Sequence, residues 1–334
     1  MEYIYFYTEE TVIRMADIND LFCEFDDNIK LTKSKEDSLR KSRNALRKEI
    51  KSWFSYKKKN QPKFCGQGSF AMRTTVNPID GNEYDIDDGV YLQGYSDDDP
   101  DEYPAPFTVH TWIKSAVEGH TNKTIDKDTC VRVVYADDHH IDYPIYIYNN
   151  WEEVPYLAHK NKGWTKSDPK ALTDWFRDKV KDNGEQLRRI VRYIKAWKDY
   201  SGIPLKGIEI TVLAAENIDV YEGRDEKGLY TTVNEILTEL SNNFTCIKPA
   251  DPYDDLFLAK SESDKKRIMD GLTDLRDSLA DAIVCTSRRD ASLKMRELFG
   301  DRFPLGEDPK DGDSEDCYER TSMPGVLRHD GRSA

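Results

Sequence analysis

Leu39, Leu46, Ile50, Trp53 and Phe54 form an apolar stripe at helical spacing within otherwise polar text. The stripe predicts one long amphipathic helix over residues 34–58. Pro62 and the Gly66/Gly68 pair end it, and the period then shortens to that of strands in DIDDGVYL, CVRVVYA and HIDYPIYIY. These Val-, Ile- and Tyr-rich runs predict a compact sheet between residues 64 and 148. From Trp151 the period lengthens again. Asp168-Pro169 offers a helix start and Asn183-Gly184 a stop. The segment EQLRRIVRYIKAWKDYSG then sets Leu187, Ile190, Val191, Ile194 and Trp197 on one stripe, with Gly202 behind it as terminator. Further helices are predicted over 208–216, 232–241, 265–286 and 291–299. The text beyond Pro304 is polar and rich in Gly, Pro and Asp, too poor in apolar residues to offset its ordering entropy, so a mobile tail is expected. The order of elements predicts an α+β fold: a sheet with its long N-terminal helix over 1–150, a helical domain over 151–303, and an acidic tail over 304–334.

The charge is uneven. The chain of 334 residues is acidic overall at −14, yet the window 30–63 carries thirteen Lys and Arg against Glu36, Asp37 and Glu49, a local balance of +10. The predicted long helix is therefore strongly basic. No stretch approaches the ~20 apolar residues of a membrane span. The opening MEYIYFYTEE lacks the basic and long apolar regions of a secretory signal, so a cytoplasmic protein is expected. The six cysteines, Cys23, Cys65, Cys130, Cys246, Cys285 and Cys317, form no CxxC pair, which fits neither a zinc ribbon nor a disulfide framework.

The candidate chemistry lies in Gln67-Gly68-Ser69-Phe70 and in Asp85-Ile86-Asp87-Asp88-Gly89-Val90-Tyr91-Leu92. Alternate strand residues share a face, so Asp85 and Asp87 project together while Ile86, Val90 and Leu92 point into a core. In the later strand Ile141, Tyr143, Ile145 and Ile147 share one face and Asp142 stands on the other, where it can join the first two acids. Three carboxylates on neighbouring strands suit a hard cation, because Mg²⁺ takes oxygen ligands and keeps positions open for water and phosphate. A pair of such ions activates an attacking hydroxyl and neutralises a phosphoryl group with its leaving pyrophosphate. The Gly68-Ser69 turn complements this, since glycine lets backbone N–H groups approach a triphosphate and the serine hydroxyl can donate to it. Alone, a DxDD run in so acidic a chain describes a solvated turn. The combination with the Gly-Ser pair and a third aspartate at matching parity favours a metal site and nucleotidyl transfer.

Other features have plainer readings. The His139-His140 pair is placed in a hairpin turn over 136–140 without thiolate partners, which argues against a transition-metal site. Arg188, Arg192, Lys195 and Lys198 form the polar side of an amphipathic helix, facing either water or phosphate. The basic helix resembles an electrostatic footprint for a phosphate backbone. Against that, the whole chain is acidic, and nucleic acid is not expected as a partner.

At these residues the chain resembles the polymerase-β-like nucleotidyltransferase superfamily, and within it the bacterial CD-NTases, the cGAS/DncV-like cyclic oligonucleotide synthases. The resemblance is carried by QGSFAMRT (67–74), YDIDDGVYL (84–92), CVRVVYADDHHIDYPIY (130–146) and RRIVRYIKAWKDY (188–200), in that order. It implies a mixed-sheet core with a long N-terminal spine helix and a C-terminal helical domain that completes a nucleotide cleft. It further implies that Asp85, Asp87 and Asp142 are catalytic and hold two Mg²⁺ ions, with Mn²⁺ as a possible substitute. Gln67, Gly68 and Ser69 would receive the donor triphosphate, Lys195 would steady it, and Arg132 would contact nucleotide phosphate.

The implied reaction joins NTPs, ATP or GTP or both, into a cyclic di- or trinucleotide messenger in anti-phage (CBASS) signalling, by a monomeric enzyme. Two alternatives are a superfamily enzyme acting on an RNA or small-molecule acceptor and a nucleic-acid-activated sensor. The family's defence systems also imply conjugation of the C-terminus, here Gly331-Arg332-Ser333-Ala334, or binding of a regulatory partner. The chain departs from the family pattern at Met72, where relatives often carry an aromatic residue, and near Gly207, where they carry a serine.

Overall fold

The computed structural model describes residues 15–79, 84–136, 139–150 and 154–308. The tail expected over 304–334 therefore lies mostly outside the described residues, as do Cys317 and the terminal Gly331 to Ala334. The first described element is helix α1 (Asn19–Ile29), which the sequence pattern did not announce, followed by the long basic helix α2 (Lys33–Tyr56). Thr32 caps α2 by accepting the Lys35 N–H. Strand β1 (Lys63–Gln67), the one-turn helix α3 (Gly68–Met72) and strand β2 (Tyr84–Leu92) follow. Helix α4 (Pro106–Ala116), also not predicted, leads into β3 (Lys123–Asp126), β4 (Cys130–Val134) and β5 (His139–Ile147).

The sheet runs in the order β1-β2-β5-β4-β3. Its central pair, β2 with β5, is parallel, and the β1–β2, β4–β5 and β3–β4 pairs are antiparallel. The sheet is larger than predicted: β6 (Tyr156–His159) pairs with the far end of β5 and with β7 (Gly163–Lys166), a hairpin in the segment assigned to the helical domain. Strands of four residues offer too few positions for alternation to show. Beyond β7 the described chain is mostly helical: α5 (Pro169–Asn183), α6 (Gln186–Ser201), α7 (Gly207–Glu216), α8 (Asp225–Asn242), α9 (Glu262–Val284) and α10 (Arg288–Phe299). Asp168 caps α5 through the Ala171 N–H at 2.8 Å with Pro169 as its first residue, and Gly202 ends α6 in the left-handed conformation.

Two apolar cores result. The back of the sheet, with Ile86, Val90, Leu92, Ile141, Tyr143, Ile145 and Ile147, packs on Leu39, Leu46, Ile50 and Phe54 of α2 and on Val109 and Ile113 of α4. The second core gathers α5 to α10 around Tyr193 and Trp197 of α6, and it includes α1 from the opposite end of the chain. Phe22 and Phe25 of α1 meet Tyr193, Phe299 and Phe303 at ring distances of 4.7–6.3 Å. Met72 of α3 is buried in this helical core, so the segment after the Gly-Ser turn is anchored to the second unit. Asp88, on the dry face of β2, is fully buried and paired with Arg47 of α2, Nε to Oδ2 at 2.7 Å.

Candidate active site

The front face of the sheet carries the carboxylates. Asp87 on β2 is the register partner of Asp142 on β5, and Asp85 is the partner of His140. Ligand atoms of Asp85, His140 and Asp142 lie within 4.8 Å of one another, and His140 Nε2 is 3.7 Å from Asp85 Oδ2. His139 and His140 are thus the first two residues of β5, not part of a turn, and the hairpin reading is corrected. His140 has the parity of Asp142, which was the signal for its place on the acidic face. His139 points the other way and bonds Ser42 of α2 through Nε2 at 3.0 Å.

The Asp87 carboxylate lies against Gly68. A Cβ built on Gly68 would stand 2.2 Å from Asp87 Oδ2, and Gly68 has φ +69°, so a side chain is excluded there both by contact and by backbone conformation. Ser69 exchanges a hydrogen bond with Thr75, Oγ to Oγ1 at 2.9 Å. Gln67 is the register partner of Asp87, but its amide donates to the Tyr146 hydroxyl at 3.1 Å, under the stacked Tyr91–Tyr146 pair. Arg132, opposite Asp142 in the register, donates to both of its oxygens, Nε to Oδ1 and Nη2 to Oδ2, each at 2.7 Å. That bidentate clamp fixes the plane of the Asp142 carboxylate.

The acids share a charge problem. Burial, then the negative charges of Asp85 and Asp142, push the Asp87 carboxyl well above the usual carboxylate range. Burial also works against ionisation of Asp85, yet His140 outweighs it, helped by Arg132 and Lys195, and Asp85 is held below its ordinary value. A face on which burial and two neighbouring acids together keep one carboxylate from ionising favours an added positive charge. The donor set fits a divalent cation: carboxylate oxygens suit Mg²⁺, and the His140 nitrogen is a ligand Mn²⁺ accepts more readily.

Helix α6 closes the site from the helical side, and its polar residues do not simply face water. Arg188 Nε donates to Met72 O at 2.9 Å, Arg192 Nη1 to Arg73 O at 2.7 Å, and Lys195 Nζ to Thr74 O at 3.1 Å. Basic side chains one and two turns apart thus hold three successive carbonyls of the segment after the Gly-Ser turn. Arg192 is buried and also clamps Asp26 of α1 at 2.7 and 2.9 Å. Burial lowers the Lys195 amine to about 7, with Asp85 opposing that shift. Gly207 leaves room beside it, since a Cβ there would be 3.8 Å from Nζ. Asp255 accepts the Cys246 and Phe257 N–H groups at 2.9 Å, the geometry of a capping residue.

Residues 62–146 match the family described as cyclic GMP-AMP synthase DncV-like, nucleotidyltransferase domain, and residues 184–308 match the cyclic GMP-AMP synthase C-terminal domain. A cyclic GMP-AMP synthase of Escherichia coli (strain TW11681) is 28% identical over 298 residues, which cover 72% of this chain and 68% of the relative. One of Escherichia albertii is 29% identical over 217 residues, 61% of this chain and 47% of the relative. Among solved structures, the cyclic AMP-GMP synthase DncV of Vibrio cholerae, described as a prokaryotic cGAS homolog, superposes with a TM-score of 0.73 at 22% identity, covering 86% of this chain and 97% of that one. Escherichia coli DncV in a 3′-deoxy GTP bound form gives 0.72 at 23% identity over the same shares. Among the described residues no helix is long and apolar enough to cross a membrane.

Proposed function

Because this chain belongs to the bacterial CD-NTases, the cGAS/DncV-like nucleotidyltransferases, we propose that it joins ATP, GTP or both into a cyclic di- or trinucleotide with release of pyrophosphate. The observation that carries the reading is the placement of Asp85, Asp87 and Asp142 on one face of a parallel strand pair, with Gly68 against the Asp87 carboxylate. In Vibrio cholerae DncV a complex with the linear intermediate pppA(3′,5′)pG has been solved, the species a stepwise synthesis passes through.

Bound to these acids, one or two Mg²⁺ ions, or Mn²⁺, would supply charge neutralisation for the triphosphate and a lowered pKa for the attacking 3′-hydroxyl. Asp85, Asp87 and Asp142 would hold them, and Arg132 would keep Asp142 in one orientation while adding positive charge at the phosphates. The backbone at Gly68 and the Ser69 hydroxyl would receive the donor triphosphate over the platform that Gln67 and Tyr146 build. Lys195 would become fully charged against the incoming phosphate. We place the enzyme in the cytoplasm, producing a messenger for anti-phage signalling.

The test is incubation with Mg²⁺ and all four NTPs with no acceptor added, followed by phosphatase and mass spectrometry. A phosphatase-resistant cyclic product, absent with Asp87→Asn, supports the proposal. Transfer seen only when an RNA or small-molecule acceptor is supplied overturns it in favour of an acceptor-directed enzyme.

A further inference from the structure

A second basic site is lined by none of the three candidate carboxylates; it is a cavity of about 430 Å³ between the α1–α2 junction, α3 with residues 73–75, and the start of α6. Most of its cations are already neutralised: Lys30 by Asp27, Arg40 by Glu36, Arg188 by Glu185 and Arg192 by Asp26. Lys33 and Arg73 also line it, and neither side chain has a hydrogen-bond or ion-pair partner among the described residues. After pairing, two positive charges remain, a match for one phosphate dianion.

The backbone of Arg73 adds an independent observation. With φ +60° and ψ +41° it is left-handed, a conformation glycine adopts freely and a long side chain does not. Strain of this kind persists where the surroundings over-determine it, and it concentrates at ligand sites. Here the surroundings are explicit, since Arg188, Arg192 and Lys195 grip the carbonyls of Met72, Arg73 and Thr74. Arg40 lies over the Phe70 ring at 4.9 Å and forms one wall. The loop is held in a conformation that leaves the exposed Arg73 side chain lining this cavity and its neighbour.

We propose that this cavity binds a phosphate group, free or carried on a small metabolite, with Arg73 and Lys33 as its direct ligands. The cavity adjoins the one lined by Gln67 and Asp87, with which it shares Arg40, Phe70 and Arg73, and the inference stands whether or not the carboxylates perform the proposed synthesis. An anion here would sit on the segment whose next residue, Thr74, bonds Lys195.

Titration calorimetry of the full chain in EDTA tests it, with inorganic phosphate and ribose 5-phosphate as separate probes. Arg73→Gly removes the guanidinium and suits the left-handed backbone, so the variant is expected to melt no lower than the wild type. It should weaken binding of the probe by about ten-fold or more, the loss of a charged hydrogen-bond partner, with a smaller loss for Lys33→Ala. Arg132→Gln, in the other site and without contact to the 72–75 segment, should leave that binding within about two-fold, less than one hydrogen bond's worth. Binding of both probes, or of one alone, supports the site and identifies its source of phosphate. Absence of binding by the wild type, wild-type affinity in Arg73→Gly, or loss of binding in Arg132→Gln overturns it.

Discussion

Gly68 and Lys195 show how much of the proposed chemistry rests on single side chains. At Gly68 even a methyl group would collide with the Asp87 carboxylate and meet an unfavourable φ. Gly68→Ala is expected to lower stability by only about 1–2 kcal/mol, the cost of the left-handed backbone, while lowering turnover by about 100-fold or more through displacement of the carboxylate. Thermal melts beside product assays separate the two effects. Lys195 links the site to pH. Its folded amine titrates at about 7, whereas in the unfolded chain it stays protonated to about pH 10.4. Unfolding therefore takes up a proton between these values, and the penalty of burying the ammonium is greatest at and below pH 7 and falls as pH rises. Lys195→Met should accordingly be more stable than wild type near pH 6, with the gap in urea midpoint narrowing towards pH 9. A gap independent of pH would contradict this assignment.

Helices and strands differed in how openly the sequence declared them. α2 and α6 were legible because two dozen and sixteen residues give periodicity room to repeat, and β2 and β5 because acids and aliphatics alternate. The β6–β7 hairpin and α3 were too short for any period. Parity placed Asp85, Asp87 and Asp142 on one face, and the same parity applied to His140 would have added it. No local pattern could reveal that Arg192 reaches Asp26 or that Arg132 clamps Asp142, since a sequence does not state which strands become neighbours. The basic face of α2 divides in the same way: Arg47 is tied to the fully buried Asp88, while Lys48 is exposed. Arg47→Ala would leave Asp88 as an uncompensated buried charge and should cost about 3–5 kcal/mol in chemical denaturation, against less than about 0.5 kcal/mol for Lys48→Ala. Equal effects would show that the pair carries no structural weight.

For the molecule as a whole, the first and last α-helices among the described residues belong to one unit, with the sheet between them in sequence. α1 lies far from α10 in sequence, yet Phe22 and Phe25 complete the core around Tyr193, Phe299 and Phe303. The helical text of the second half gave no sign of this missing wall. Phe25→Ala is expected to cost about 3–5 kcal/mol and to raise hydrogen exchange in α6 and α10 while sparing β2 and β5. Since α6 holds the segment behind the Gly-Ser turn, loosening it should also raise the KM for NTP. All of this serves one arrangement, acids on the sheet facing a turn that the helical unit holds in place. The most direct measurement is an electron paramagnetic resonance titration of Mn²⁺ onto the full chain with a non-hydrolysable triphosphate present. Tight binding in the wild type that is abolished by Asp85→Asn with Asp142→Asn is the predicted result; undiminished binding in that double variant would contradict it.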